Sequence, residues 1–203
     1  MRTEVGVKSK KRMLLGAACL FFIFLTSCGV SDYDTTTLEM NKDGTVTLHI
    51  REDFNENLYD IDELAAMNEE EVKNYNATAG EDEVIIKKCK LSDGKIAIDI
   101  LYKEDNDYYN MNGNVLFYGS CDVVRGAGYN LVGKVRSISD GKELDQKTWK
   151  SMSDQNVVIV SETIDLDLPS DILYMGEGVT MKGSNRASVD TNGSSNLCYV
   201  ICK

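Results

Sequence analysis

The chain has 203 residues, with 33 Asp and Glu against 22 Lys and Arg, and a net charge of −11. Nucleic acids and anionic lipid headgroups attract clustered basic residues, so this acidic balance argues against direct contact of the polypeptide with either. We therefore expect no nucleic-acid partner.

The first 27 residues have the pattern of a secretory signal peptide. Residues 1–12 carry five basic side chains and one acidic one, and an apolar run of thirteen residues follows from Met13 to Leu25. A membrane-spanning helix needs about 20 apolar residues, which leaves an uncleaved membrane anchor as the less favoured alternative. This leader has a net charge of +4, so its removal would change the net charge of the chain from −11 to −15.

The segment Leu25-Thr26-Ser27-Cys28-Gly29 resembles the lipobox of bacterial lipoproteins, which has an aliphatic residue, two small residues and an obligatory cysteine. The resemblance implies that a diacylglyceryl group is attached to the thiol of Cys28 and that the chain is cleaved before this residue. Two acyl chains anchor a protein stably, whereas one does so only marginally. We expect attachment to the membrane through this lipid; an ordinary signal peptide with a chance cysteine is the alternative.

Residues 28–36 are predicted to form a short tether to the first ordered element. A β-hairpin follows in TLEM-NKDG-TVTLHI, where two alternating runs flank an Asp-Gly turn. A helix then starts at Asp60, which with Glu63 resembles a capping box, and ends at Gly80. A second hairpin is predicted in EVIIKKCKL-SDG-KIAIDILYK, followed by a short polar turn or helical piece and the strand VLFYG.

The second half of the chain is less periodic. CDVVRGAGYN predicts a short helix, and VVIVSE, IDLDL, DILYMG and NLCYVIC predict strands. The fold class is therefore α+β, with antiparallel β-hairpins, one main amphipathic helix packed on the sheet, and a second half that is mostly β. We expect an α+β lobe in residues 37–119 and a mainly β lobe in residues 120–203, either separate or as one continuous domain.

Three segments carry a resemblance to a family. DGTVTLHIREDFNENLYDIDELAAMNEEEVKNYN, GEDEVIIKKCKLSDGKIAIDILYKEDNDYYNMNG and NVVIVSETIDLDLPSDILYMGEGV resemble segments of a set of uncharacterised lipoproteins from Gram-positive anaerobes. This resemblance covers most of the chain after residue 27. It implies export and a lipid anchor on the outer face of the cytoplasmic membrane, and it implies no activity.

The remaining cysteines and the single histidine give little sign of catalysis. Cys89, Cys121, Cys198 and Cys202 are expected to be buried free thiols, because their spacing does not suggest a disulfide framework. His49 is expected to face solvent on the polar side of a strand. A general base formed with a nearby carboxylate, or a cysteine nucleophile paired with His49, is the catalytic alternative.

Several acidic residues are close together in the sequence. Asp60 and Asp62, Asp165 and Asp167, and the run Glu69-Glu70-Glu71 offer oxygen ligands of the kind that calcium prefers. No D-x-[DN]-x-[DN]-G loop is present, and a solvated face is the preferred interpretation. We predict no catalytic residue, no metal site and no cofactor.

Tyr108, Tyr109 and Tyr118 form the candidate recognition surface, because they occur among four asparagines between Asp105 and Gly119. Tyrosine provides contact area at a low cost in conformational entropy, and amides provide adaptable hydrogen bonds. The alternative is structural: the tyrosines cover the sheet and the asparagines shape turns.

The sequence favours an exported, lipid-anchored protein of the cell envelope that acts as a non-enzymatic binding or interaction module. An envelope protein or a glycan is the expected partner besides the membrane. Two alternatives remain: a small hydrolase acting on wall or glycan material, and a structural accessory subunit of a membrane complex.

Overall fold

The computed structural model describes residues 33–55, 60–193 and 196–203. The predicted signal peptide, the predicted lipidation site Cys28 and residues 29–32 of the predicted tether lie outside the described residues. Within these ranges the helices are Ile61–Ala79 (α1), Asp105–Asn112 (α2), Cys121–Gly126 (α3) and Gln146–Ser151 (α4). The strands are Thr37–Met40 (β1), Val46–Asp53 (β2), Val84–Ser92 (β3), Lys95–Tyr102 (β4), Leu116–Ser120 (β5), Val135–Ser137 (β6), Asn156–Val160 (β7), Ile164–Asp167 (β8), Ile172–Gly176 (β9), Val179–Met181 (β10), Arg186–Val189 (β11) and Cys198–Cys202 (β12).

The described strands form two sheets. The first sheet has seven strands in the order β10-β11-β8-β1-β2-β4-β3, and the second has five in the order β5-β7-β12-β9-β6. Neighbouring strands are antiparallel except β1 and β8, which are parallel and place Leu38 beside Leu166. The first sheet therefore combines strands from both halves of the chain. The predicted α+β class is confirmed.

Both predicted hairpins of the first half are confirmed. β1 and β2 pair with Met40 opposite Val46, and β3 and β4 pair with Ser92 opposite Lys95. Gly94 in the second turn has a φ of +71°, a conformation that glycine adopts without the steric penalty that a Cβ atom imposes. The Asp-Gly signal thus located the turns because the backbone there needs a left-handed residue.

The main core lies between the two sheets. Alternate residues of the first sheet, including Leu48 and Ile98, share this core with Val158 and Val200 of the second sheet. The strict in–out alternation of β4 arises because one face of this strand contacts the core while the other does not. Ile96, Ile98, Ile100 and Tyr102, which alternate along this strand, are all buried.

A second core covers the opposite face of the five-stranded sheet. It contains Trp149 from α4, Val124 from α3, and Val157, Ile159 and Ile201 from the sheet. Residues 157–160 of β7 are therefore buried on both faces of the sheet, which explains why they are all apolar instead of alternating with polar residues.

Helix α1 begins and ends where the sequence predicts. The Asp60 side chain accepts hydrogen bonds from the backbone N–H groups of Asp62 and Glu63, and Gly80 follows the last turn. The Asn76 side chain bonds to both the N–H and the carbonyl of Val84, at 2.9 and 2.8 Å, and so joins the helix to β3.

Four elements, β6, β10, β11 and α4, are not predicted from the sequence. β10 and β11 have only three and four residues, which is too short for a clear alternating pattern. The start of α4 does carry a local signal, because the Asp145 side chain accepts hydrogen bonds from the N–H groups of Lys147 and Thr148. None of the described helices combines the length and apolarity needed to cross a membrane.

We expect Leu38→Ala to lower the free energy of unfolding by about 2–5 kcal/mol, because it leaves a cavity between the sheets. Leu38 is 0% exposed at the centre of the first sheet. Urea unfolding can be followed by the fluorescence of Trp149, the single tryptophan, which is buried. The control Met67→Ala alters a side chain that is 62% exposed and should change stability by less than about 0.5 kcal/mol. Equal effects of the two substitutions would contradict this core assignment.

Candidate functional site

The three tyrosines of the predicted recognition surface do not share an exposed face. Tyr108 is 1% exposed, Tyr118 is half-buried and donates to the carbonyl of Asn41, and only Tyr109, at 47%, is exposed. The prediction is corrected for Tyr108, because its ring packs edge-on against Tyr102 with the centroids 5.2 Å apart. The structural alternative describes this residue better.

The hydroxyl of Tyr108 is part of a partly buried polar cluster. It donates to Oε1 of Glu162 at 2.5 Å, and the Asn114 amide donates to Oε2 at 2.9 Å. Burial raises the pKa of Glu162 above its usual value, against the effect of these two hydrogen bonds. Burial likewise raises the pKa of Tyr108 and, to about 12, that of Tyr102. Tyr108 is buried, whereas Glu162 and Asn114 are half-buried, so the cluster lies at the edge of the core.

His49 does not face solvent, so that expectation is wrong. The residue is 8% exposed, because the ring of Tyr33 covers it at a centroid distance of 4.4 Å. Its Nδ1 lies 2.9 Å from Oδ1 of Asp99, and its Nε2 lies 3.0 Å from Oε2 of Glu39. Both ring nitrogens are engaged by carboxylates of the fold, and neither is directed at a substrate.

A charged network continues from His49 along the outer face of the first sheet. Asp99 also pairs with Arg51 at 2.7 Å. Burial opposes ionisation of Asp99, but hydrogen bonds from His49 and Arg51 outweigh it and hold the pKa of this carboxyl below its usual value. This balance indicates that Asp99 stabilises the fold when its carboxyl is ionised.

The first described residues are bound across this outer face. The Tyr33 hydroxyl donates to Asp167 at 2.9 Å, and the Arg186 guanidinium lies 4.8 Å from the centroid of the tyrosine ring. The Thr35 hydroxyl donates to Asp165 at 2.6 Å. We call residues 33–35 the N-terminal strap, because they fasten the start of β1 to β8.

Asp165 and Asp167 are less solvated than the sequence suggests. Each side chain is 15% exposed, and they pair with Lys182 and Arg186 respectively at 2.8 Å. The solvated-face interpretation is therefore wrong for this pair, whereas Glu69, Glu70 and Glu71 on α1 are exposed as expected. Within residues 33–55, 60–193 and 196–203, no group of three His, Cys, Asp or Glu side chains is placed to hold a metal ion.

The four cysteines within the described residues are free thiols, as expected. Cys121, Cys198 and Cys202 are buried, and Cys89 is half-buried. Burial raises the pKa of all four thiols, that of Cys121 to about 11. A nucleophilic cysteine needs a lowered pKa, so these environments are unsuited to thiolate catalysis.

A groove of about 780 Å³ opens at the end of the second sheet where β9 ends and β12 begins. This volume is within the range of about 300–1,000 Å³ that is usual for small-molecule sites. We call it the β9–β12 groove; its lining includes Lys134, Met175, Glu177, Asp190, Leu197 and Tyr199.

The groove is charged on two sides of β12. The Lys134 ammonium lies 5.3 Å from the centroid of the Tyr199 ring. On the other side, the thiol of Cys198 is buried near Asp190 and Glu177, whose charges add to the effect of burial in raising its pKa. Because successive side chains of a strand point to opposite faces, Cys198 points to the side of β12 that holds Glu177 and Asp190. Tyr199 points to the opposite side, where Lys134 lies over its ring.

A glycine determines how closely the acidic side approaches β11. Gly178 has a φ of +76°, and a Cβ atom there would lie 2.5 Å from the carbonyl oxygen of Asp190. The Gly178 carbonyl accepts a hydrogen bond from the N–H of Asp190 at 2.8 Å. Only glycine allows this contact, which places the Glu177 turn beside the Asp190 turn.

Sequence reasoning missed the groove. Its lining comes from segments around residues 134, 177, 190 and 198, each of which looks like an ordinary polar turn or strand end. The glycine-flanked acid in Gly176-Glu177-Gly178 is the one local signal, since glycine between strands often marks a close backbone approach. Nothing local shows that these segments meet.

Comparison of the chain with protein-family models, curated proteins and solved structures finds no match. The function is therefore inferred from the residues of this chain alone. Among the described residues, the β9–β12 groove combines a concave shape, an aromatic ring and charges of both signs, which is chemistry suited to binding a small ligand.

Asp99→Asn should lower the free energy of unfolding at pH 7 by about 1–3 kcal/mol, because Arg51 and His49 lose their charged acceptor. The folded-state pKa of Asp99 is depressed, so its stabilisation is present above about pH 4, the ordinary value, and is lost as pH falls through the folded-state value. Stability of the wild type should therefore decline more steeply below about pH 4 than that of the variant.

Urea titrations between pH 2.5 and 7 measure this difference. Asp154→Asn is the matched control, since Asp154 is exposed and has no ion-pair partner within 4.0 Å among the described residues. Parallel pH profiles for wild type and Asp99→Asn would contradict the stabilising role assigned to the network.

Proposed function

We propose that this chain is an exported, lipid-anchored protein on the outer face of the cytoplasmic membrane that binds a small ligand without transforming it. The observation that carries the binding function is the β9–β12 groove, with Lys134 and Tyr199 on one side and Glu177 and Asp190 on the other. The resemblance to uncharacterised lipoproteins of Gram-positive anaerobes supports the export and anchoring parts of the proposal.

The sequence around Cys28 is the basis for the anchor. Four residues separate Cys28 from Tyr33, the first residue of the N-terminal strap, so five Cα–Cα steps connect the two. A fully extended segment of this length reaches only about 18 Å. A diacylglyceryl group on Cys28 would therefore hold the ligand-binding domain close to the bilayer surface, despite its acidic charge.

The helix packing predicted from the sequence is also part of this proposal. We propose that α1 is the main amphipathic helix and packs on the first sheet through its apolar stripe. Partly buried Ile61, Leu64, Val72 and Tyr75 contact the main core, which supports this arrangement.

Binding is favoured over catalysis by two features of the described residues. Both nitrogens of His49 are held by carboxylates, and the thiols have raised pKa values.

A small envelope hydrolase is the second candidate, because Glu177 and Asp190 place two carboxylates in one groove, as glycan hydrolysis requires. Release of reducing sugar from wall material by the wild type, and its loss in Glu177→Gln, would favour that candidate.

Cys28→Ala should abolish incorporation of labelled fatty acid and shift the protein from the membrane fraction to the soluble extracytoplasmic fraction. The reason is that the lipid supplies the membrane affinity, which an acidic polypeptide lacks. Substitution of Cys19, inside the apolar run, should leave labelling unchanged and is the control. Unaltered membrane partitioning of Cys28→Ala would refute the anchor.

A photo-crosslinking residue at position 196 tests the binding function in intact cells. Asn196 is exposed and lines the β9–β12 groove. We expect irradiation to add one discrete mass to the purified protein, measured by intact-protein mass spectrometry, because a bound ligand is held within reach of this residue. The same crosslinker at Tyr109, which is 47% exposed outside the groove, is the control. The same adducts at both positions, or none at position 196, would count against a ligand site.

A further inference from the structure

The chain enters the described domain on the outer face of the first sheet. His49 points to this face, while its neighbour Leu48 points into the main core. Tyr33, the first described residue, is 7% exposed, because its ring packs against that of His49 and its hydroxyl bonds to Asp167. Since β1 and β8 are inner strands of the sheet, the N-terminal strap is held over the interior of the face and not at its rim.

The described helices pack elsewhere. α1 and α2 contribute side chains to the main core, on the inner side of the first sheet, and α3 and α4 contribute to the second core. Among the residues that the structure describes, the outer face of the first sheet therefore has the strap on it but no helical layer.

The length of chain before the strap limits which side of the domain can reach a membrane. The proposed lipid is on Cys28, and the five Cα–Cα steps from there to Tyr33 span at most about 18 Å. A compact domain of the length of Tyr33–Lys203 is about 40 Å across. The side of the domain opposite the strap is therefore too far away to touch a bilayer that holds the lipid of Cys28.

The charges of the outer face permit contact with lipid headgroups, although the whole chain is acidic. α1 carries five acidic residues and one lysine, so anionic lipid would repel that side of the domain. On the outer face, acidic and basic side chains are nearly balanced. The acidic ones are Glu39, Asp53, Asp99, Asp165 and Asp167, and the basic ones are Arg51, Lys88, Lys90, Lys95, Lys182 and Arg186.

We propose that the outer face of the first sheet rests on the lipid bilayer, with headgroups covering the sheet on both sides of the strap. This inference rests on the proposed lipid anchor at Cys28. The short tether selects this side of the domain, and the balanced charge allows the contact. The second sheet packs against the inner face of the first across the main core, so it is directed away from the membrane.

Fluorescence quenching by lipids in reconstituted vesicles tests which face lies on the bilayer. The full-length lipidated protein carries Cys89→Ala, which removes the half-buried thiol, and one new cysteine for a fluorescent label. Ser92→Cys and Thr180→Cys place the label at exposed outer-face positions of the two edge strands, β3 and β10. Ser151→Cys in α4 and Thr78→Cys in α1, both exposed, are the matched controls.

The vesicles contain phosphatidylcholine and phosphatidylglycerol, with or without a nitroxide on the headgroup that quenches fluorescence at short range. We expect the nitroxide lipid to cause a loss of fluorescence at positions 92 and 180 and none at positions 151 and 78, because only the outer face is close to headgroups. Unchanged Trp149 fluorescence in vesicles without nitroxide would show that each labelled variant is folded.

Three results would overturn the inference: equal quenching at all four positions, stronger quenching at position 78 or 151, or no quenching at positions 92 and 180. The last result would mean that water or another protein covers this face. Failure of the anchor itself is distinguishable, because the protein would then carry no fatty acid and would not sediment with the vesicles. Failure of the ligand-binding function is detected separately, by the crosslinker at position 196.

Discussion

The parallel pairing of β1 with β8 is the contact on which the rest of the structure depends. It places Leu38 beside Leu166 in the main core and makes one seven-stranded sheet from strands of both halves of the chain. Parallel neighbours need a long connection, and here that connection includes α1, the other three strands of the N-terminal hairpins, and the first strands of the second sheet. The N-terminal strap reinforces the pairing, because the hydroxyls of Tyr33 and Thr35 both donate to aspartates of β8.

The outer face of the first sheet shows how an acidic chain distributes its charge. Carboxylates on this face are paired with Arg51, Lys182 or Arg186, or with the ring of His49. Surface ion pairs contribute little individually, but the pairs beneath Tyr33 are partly shielded from water and would be costly to separate. Arg51, Lys182 and Arg186 on this face thus neutralise carboxylates of the fold itself.

The β9–β12 groove forms at the end of the second sheet, where β9 ends and β12 begins. β12 contributes Cys198 to the main core and Tyr199 to the opposite face, so the start of this strand separates two environments. The turns after β9 and β11 meet above it because Gly178 permits a backbone contact that no other residue allows. A ligand held there would contact both the rigid strand and the two turns, and the proposed lipid on Cys28 would keep this site at the cell surface.

The sequence by itself determined the local elements: the two N-terminal hairpins through alternation and Asp-Gly turns, and α1 through the cap at Asp60 and the stop at Gly80. It also supplies the proposed lipid-attachment site, since a lipobox is read as a linear motif. Only the tertiary structure decided that His49 and Tyr108 are buried, that Asp165 and Asp167 are paired, and that Lys134 and Glu177 line one groove. The physical reason is that turns and caps depend on neighbouring residues, whereas burial and site assembly depend on contacts such as β1 with β8, between residues more than a hundred positions apart in the chain.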